Sequence, residues 1–448
     1  MWCDYGYVYS SYFPNFGGNY DNGDNAGLFN VNFNNSATNT NSNIGSRTSI
    51  ITLQPRKQTE RKSPGPCPSA KNQETPGPAP VPPKGRGKGT HTNWRALQMK
   101  RIRHIDGIEL YDIIRSRENV VRAVKAACRD HAKDPAVIRI REDPGPYVEA
   151  VCGILDGQTF HYSRFKRKRI FERGKWRELC YTRTFPDRIV QHAVMQVVAP
   201  ILLGTCTRDT YAAMEGRGLH AGSMRLRRAL REDPHGTRFC LKIDVHHYFP
   251  SIDRRILFDL VRRKIRCPRT LSIIETMIFG CPGSGLPIGL YSSQIFSTYY
   301  LSKFDHYCKE RLGLSHYFRY MDDIVVMGYS KWYLRNVLRF MRSELERYGL
   351  AVKANWQVFP TDSRGVDFLG FVHRHTHTRV RKRNKVAYRR ACNHIVGNIR
   401  RHRPVTSGMI ASVISYEGFV GWADAKRLIT LYSGRVDTAL EFGAEALS

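Results

Sequence analysis

The rhythm of apolar and polar positions divides the chain in two. Before about Thr92 no apolar periodicity runs long enough to pack an element, and beyond it the pattern becomes globular. Residues 108–132 place apolar side chains near a 3.6 spacing, which predicts a helix. Residues 152–181 read as strands around a basic hairpin. Residues 186–203 are again helical in period, with Pro186 suited to the first turn. Residues 238–245 alternate like a strand that breaks at Pro250, and residues 292–311 predict one long, mostly buried helix. Two short apolar runs in 317–327 meet at Asp322-Asp323, which predicts a hairpin. Residues 331–348 predict a helix with Ser330 as N-cap and Gly349 as its stop, followed after Phe371 by a basic helical tail.

Composition separates the first segment further. The first 46 residues hold three Asp and no Lys or Arg, and are crowded with Asn, Gly, Tyr and Ser. Residues 55–91 turn to Pro, Gly, Lys and Arg, the composition of an extended linker. Across 448 residues, 71 Lys+Arg against 39 Asp+Glu leave a formal charge of +32. That excess points to polyphosphate partners rather than to a small-molecule enzyme. No apolar run reaches the ~18–20 residues of a membrane span, and the N-terminus lacks the pattern of a signal peptide. The expectation is therefore a cytoplasmic protein without a membrane. The 11 cysteines show no C-x-x-C spacing and read as reduced core residues.

The candidate chemistry is acidic. In Phe318-Arg319-Tyr320-Met321-Asp322-Asp323-Ile324-Val325, two adjacent carboxylates sit between apolar runs, where they repel unless a cation compensates. Asp244 ends the apolar run Leu241-Lys242-Ile243, and an aromatic, Phe249, follows five positions later. Two-metal phosphoryl transfer needs carboxylates from separate strands that converge, and these fit if their strands are neighbours. Magnesium is the hard, oxygen-preferring ion for such a site.

These segments resemble the palm motifs of reverse transcriptases. Tyr320-Met321-Asp322-Asp323 resembles the family's second metal motif and Asp244 its first. The resemblance implies that Asp244, Asp322 and Asp323 are catalytic. With the backbone carbonyl of Val245 they would hold two Mg²⁺ ions, for which Mn²⁺ can substitute. Phe249 falls where the family places an aromatic gate against a ribose 2′-hydroxyl. Lys175-Trp176-Arg177, in a stretch dense with cations, resembles the fingers hairpin that grips the incoming triphosphate. Arginine suits that role because its planar fork matches phosphate oxygens in pairs. Phe185 to Ala193, which includes Arg188, and Glu215-Gly216-Arg217-Gly218 resemble the next two fingers motifs, and Gly365 to Gly370 resembles the turn closing the palm against the thumb. The ordered set covers about residues 150–372.

One loop departs from most of the family. Gly285-Leu286-Pro287-Ile288-Gly289-Leu290-Tyr291-Ser292-Ser293-Gln294 lacks the usual Gln before the glycine and Ser-Pro after it, and is similar to the diversity-generating retroelement branch. Gly289 would let the backbone approach the nascent base pair. Ser293 and Gln294 would contact template or deoxynucleotide, with plain N-capping as the alternative. Template and primer contacts are implied at Arg188, Arg217, Gly289, Ser293, Tyr320, Met321, Arg381, Lys382 and Arg383. The nucleotide contacts implied are Lys175, Arg177, Phe249 and Gln294. The Asn-rich start resembles the C-terminal stretch of that branch's hypervariable target proteins, with a low-complexity tail as the equal alternative.

The implied fold is α+β, a right-hand polymerase with a disordered N-terminal extension. Its parts are a low-complexity extension and linker over 1–95, fingers over 96–237, a catalytic palm over 238–372 and a short, helical, basic thumb over 373–448. The implied activity is that of an RNA-directed DNA polymerase, a nucleotidyltransferase making cDNA for mutagenic retrohoming. A retron-like or defence-associated reverse transcriptase is the alternative within the enzyme class. A catalytically inactive RNA-binding scaffold is the alternative outside it, although all three acidic residues are retained. The partners implied are an RNA template, a DNA primer or cDNA, dNTPs and a small basic helical accessory oligomer. Lys353 is the sole candidate near Gly349 for the family's helper lysine. His373, His375 and His377 alternate, and read as one solvated strand face rather than a zinc site.

Overall fold

The computed structural model describes residues 101–129, 133–172 and 175–445, apart from the side chains of residues 172, 175 and 443–445. The expectations for the 1–95 extension lie outside the described residues.

Helices come first. Leu110–Arg115 and Arg117–Ala127 are separated by Ser116, whose hydroxyl accepts the Asn119 backbone N–H and so starts a second helix inside the run expected to be one. Pro135–Glu142 and Gly145–Asp156 follow. Short strands β1 (His104–Ile105) and β2 (Ile108–Glu109) precede them. The basic hairpin is β3 (Lys166–Glu172) paired with β4 (Lys175–Tyr181). The helix Ile189–Leu203 is apolar nearly all round and buried nearly all round, as such a helix must be.

A four-stranded antiparallel sheet lies at the centre, in the order β6 (Tyr317–Tyr320), β7 (Asp323–Gly328), β5 (Phe239–Asp244), β8 (Gln357–Pro360). Strand alternation sends its apolar side chains to opposite faces. Leu241, Ile243, Ile324 and Val326 join one core with the helices Ile189–Leu203, Tyr291–Tyr300 and Lys331–Glu346. Cys240, Phe318, Val325 and Met327 join a second core that includes Leu226, Phe368, Tyr388 and Phe419. Each such side chain contributes roughly 1.5–3 kcal/mol on burial. The 331–346 helix places Leu334, Val337, Leu338, Met341 and Leu345 on its buried side, with Ser330 capping the N–H of Tyr333 at 3.1 Å.

Three further expectations change, the first being that residues 152–156 belong to the Gly145–Asp156 helix and the strands of the hairpin begin only at Lys166. The run 292–311 is not one helix: Tyr291–Tyr300 ends at Leu301, then Ser302–His306 and a wide turn at Tyr307–Arg311 complete it. The tail after Phe371 is not helical at once. Strands β9 (Val366–Phe368), β10 (Phe371–His373) and β11 (Thr378–Val380) form a three-stranded sheet that crosses the expected palm–thumb boundary. Three helices then close the chain, Lys382–Arg400, Ser407–Val420 and Lys426–Glu445. Among the described residues no helix is long and apolar enough to cross a membrane. The described cysteines are free thiols, all buried except the half-buried Cys152.

Candidate active site

The site forms at one end of the central sheet. Asp244 closes β5 and Asp323 opens β7, and the two are direct partners across the antiparallel pair. Asp322 occupies the turn between β6 and β7, where its carbonyl accepts the Val245 N–H at 3.2 Å. Three carboxylates thus meet at one end of the sheet, all half-buried. Burial first, then the charge of Asp244 and a hydrogen bond with it, and then Asp323, push the Asp322 carboxyl up to about 7. Burial likewise raises Asp323, against the opposing pull of Lys242.

Two lysines offset part of this repulsion. Lys353 Nζ lies 2.6 Å from Asp244 Oδ2, and its backbone N–H donates to the Asp244 carbonyl at 2.9 Å. Lys242, two residues before Asp244 on the same face of β5, lies 3.4 Å from Asp323 Oδ2 and also donates to the carbonyl of Asp367. The other oxygens, Asp244 Oδ1 and Asp323 Oδ1, are buried without a hydrogen-bond partner among the described residues. Among the described residues no three acidic, His or Cys side chains stand as a finished metal cage. Buried, unpartnered carboxylate oxygens nevertheless fit a hard divalent cation, because water or a donor would otherwise have to satisfy them.

The turn carrying the acidic pair is held from below. Met321 has a left-handed backbone, φ 53°. Arg319, fully buried on the inner side of β6, donates to the Met321 carbonyl at 3.1 Å and to the Thr298 carbonyl at 2.9 Å. Its Nε and Nη2 grip Asp305 at 2.6 Å each, and Tyr317 and Thr210 donate to the same carboxylate at 2.6 and 2.8 Å. A bidentate pair with every oxygen satisfied is the geometry that makes a buried ion pair tolerable.

The loop 285–290 lies between this site and the hairpin. Arg254 donates to the Gly285 carbonyl, and the Leu286 N–H donates to the Phe249 carbonyl at 2.9 Å. Cys180 of β4 donates to the Ile288 carbonyl at 2.7 Å. Gly289 has φ 119°, and a Cβ there would lie 2.4 Å from the Cys180 carbonyl. The close approach that demands glycine is thus to strand β4.

The remaining sequence candidates have varied surroundings. Phe249 is 8% exposed and packs edge-on against Tyr248. Ser293 and Gln294 are buried, but Leu290 is the N-cap of their helix and no side chain caps it, so the N-capping alternative is not found. Instead Gln191 accepts from both the N–H and the hydroxyl of Ser292. The Ser293 hydroxyl is buried without a partner among the described residues. Met321 is buried, its sulfur 3.4 Å from the Thr298 hydroxyl, while Tyr320 is half-buried on the outer side of β6. Arg217 donates to the Thr207 carbonyl at 2.7 Å, and Arg381 pairs with Asp367. Lys175 and Arg177 lie on β4 and Arg188 ends the turn Thr184–Arg188, while Lys382 and Arg383 open the 382–400 helix.

The three histidines do not share a solvated face. His373 is fully buried between Ser223 and Thr378, and His375 bridges Asp362 and Thr237. The β10–β11 turn at 374–377 breaks the alternation that their spacing suggested. Lys242, Gln191 and the Arg319–Asp305 pair escaped sequence reasoning. An arginine at an inward position of an apolar strand was the one available signal.

Comparison with known proteins locates the likeness. Residues 166–373 match the family model described as reverse transcriptase (RNA-dependent DNA polymerase). A curated relative, Protein YkfC of Escherichia coli (strain K12), is 27% identical over 214 residues, which are 45% of this chain. The chain spans about half, 51%, of that relative's length. Among solved structures, the apo telomerase of Candida tropicalis overlays with a TM-score of 0.42 at 14% identity, covering 64% of this chain and 58% of that one. A telomerase of Candida albicans overlays with the same TM-score at 12% identity, over the same shares of the two chains. The family match supports the reverse transcriptase family for residues 166–373, the stretch that carries all three carboxylates.

Proposed function

We propose that the chain is an RNA-directed DNA polymerase that copies an RNA template into cDNA. One observation carries the reading: Asp244 and Asp323 are register partners with Asp322 beside them, inside the segment similar to reverse transcriptases. Reverse transcriptase domains generally use divalent metal ions, usually Mg²⁺. Here Asp244, Asp322 and Asp323 would hold them, with the Val245 carbonyl, and the ions would stabilise charge on the attacking and leaving oxygens. The chain's own residues do the positioning. Arg319 fixes the turn under the acidic pair, and the buried Phe249 ring limits the space beside the sugar. Arg177, on β4, extends a cation toward a triphosphate, a role the resemblance also implies for Lys175. Lys353, in contact with Asp244, would assist the departing pyrophosphate.

In this reading residues 96–237 are fingers, 238–372 palm and 373–448 thumb. The form of the 285–294 loop favours a diversity-generating retroelement enzyme engaged in mutagenic retrohoming. The test is primer extension on an RNA template with Mg²⁺. Asp322→Ala should reduce extension to background while RNA affinity stays within about twofold, because affinity rests on dispersed cations. Extension by the Asp322→Ala protein at the parent rate would overturn the assignment.

A further inference from the structure

The helix Lys331–Glu346 covers the face of the central sheet opposite the carboxylates, and Trp332 and Phe340 stand exposed on its outer side. Lys331, Arg335 and Arg339 recur at intervals of four and are exposed, with the half-buried Arg342 one turn on, so they form a single stripe. Among the described residues none of the four pairs with a carboxylate, and residues 329–343 contain no Asp or Glu. Aromatic rings flank the stripe. Trp332 is 70% and Tyr329 50% exposed. Tyr329 stacks on Tyr333 at 5.0 Å and 24°, and His235 lies parallel to Tyr329 at 6.4 Å and 1°. At the far end Arg342 lies 5.3 Å over the Trp356 ring.

We infer that this face is a second nucleic-acid platform, which holds a single-stranded segment of RNA away from the active site. Cations without carboxylate partners among the described residues, spaced along a helix with exposed rings beside them, suit a flexible polyanion whose bases can stack. A folded protein partner is the competing occupant, and the run of four cations with no Asp or Glu over 329–343 favours a polyanion instead. Tyr329 follows β7 at the end opposite Asp323, ~20 Å along the strand, so a duplex at the carboxylates leaves this face free. That the strand is RNA rather than DNA rests on the polymerase reading above, since the uncopied part of a template is single-stranded RNA.

The test uses the full chain and an oligouridine of roughly 20 nucleotides, longer than the ~4–16 one platform occupies. Binding is measured over a salt series after the cleft is filled with a short RNA–DNA heteroduplex. The variant is Trp332→Ala with Arg335→Gln and Arg339→Gln, all exposed positions. The control removes the same charge elsewhere, with Arg122→Gln and Arg139→Gln. The variant should bind oligouridine about tenfold or more weakly and lose about 1.4 from its salt slope, which is two phosphate contacts on a single strand. The control should stay within about twofold, and oligodeoxythymidine should bind the parent more weakly than oligouridine. Equal affinity for variant and parent, or equal loss in the control, would overturn the inference. So would self-association of the parent that Trp332→Ala abolishes while RNA binding is unmoved, which would assign the face to protein contact. Heteroduplex binding and primer extension report separately on the active site, so failure there leaves the oligouridine result readable.

Discussion

Replacing Arg319 by methionine isolates the support beneath the acidic turn. The change keeps most of the volume but leaves the Asp305 carboxylate buried with only the Tyr317 and Thr210 hydroxyls to offset its charge. Removing one member of a buried ion pair costs about 3–5 kcal/mol. An ordered body of roughly 340 residues gains about 0.7 kcal/mol/K of entropy on unfolding at its midpoint, so the melting temperature should fall by about 4–7 °C. A second effect follows from geometry. Arg319 also holds the Met321 carbonyl, and without it the left-handed turn is free to move Asp322 and Asp323. A displacement near 1 Å at reacting groups costs on the order of 100-fold in rate. Scanning calorimetry and single-turnover primer extension measure the two effects. The double variant Arg319→Met/Asp305→Leu separates them: with no buried charge it should regain most of the lost melting temperature while extension stays slow. A single variant that melts and extends like the parent would refute the reasoning, as would a double variant that recovers full extension.

Three further outcomes are expected. Phe249→Ala should admit ribonucleotides into the product and lower stability by about 3–5 kcal/mol, since the ring is a core member as well as a wall; unchanged sugar discrimination in incorporation assays would reduce it to a packing role. In the presence of chelator, the parent should lose stability relative to Asp322→Asn as pH rises from about 4 through about 7, because the raised Asp322 pKa makes the folded state hold a proton that the unfolded state releases near its ordinary 3.8; a melting-temperature difference constant from pH 5 to about 8 would contradict this. Gly289→Ala combines a disfavoured φ with a clash against the Cys180 carbonyl, and should cost about 1–3 kcal/mol and expose the β3–β4 hairpin to limited proteolysis; a parent-like cleavage pattern would show that the loop adapts.

The carboxylate strands were legible because each is short, apolar and punctuated. Asp244 lies before a turn ending at Pro250, and Asp322-Asp323 lies between two β-branched or aromatic runs, which matches β5, β6 and β7. The 331–346 helix was legible from its cap, its stop and its period. The break at Leu301 was not, because a helix buried on every side shows no polar face whose phase could slip. The alternating histidines hinted at a strand from His373, but the bounds of β10 and β11 were hidden by basic composition, which describes charge and not backbone. His373 looked solvated for the same reason: its burial depends on Ser223, 150 positions away. Lys242 looked like the polar half of an alternating strand, and only the register against Asp323 gives it a partner.

The two cores on opposite sides of one sheet bear on how the protein can be divided. Tyr388 and Phe419, from the closing helices, share a cluster with Phe318 and Val325 of the central strands and with Phe368 and Phe371 beside them. A cut near residue 373 follows the end of the sequence motifs, but it would strip one wall of the sheet and expose those rings to water. The C-terminal fragment would lose the apolar floor on which its helices rest. Motif boundary and folding boundary therefore differ in this chain. A catalytic fragment intended to stay soluble has to carry the closing helices with it, and grafting those helices onto another enzyme would require the strands beneath them as well.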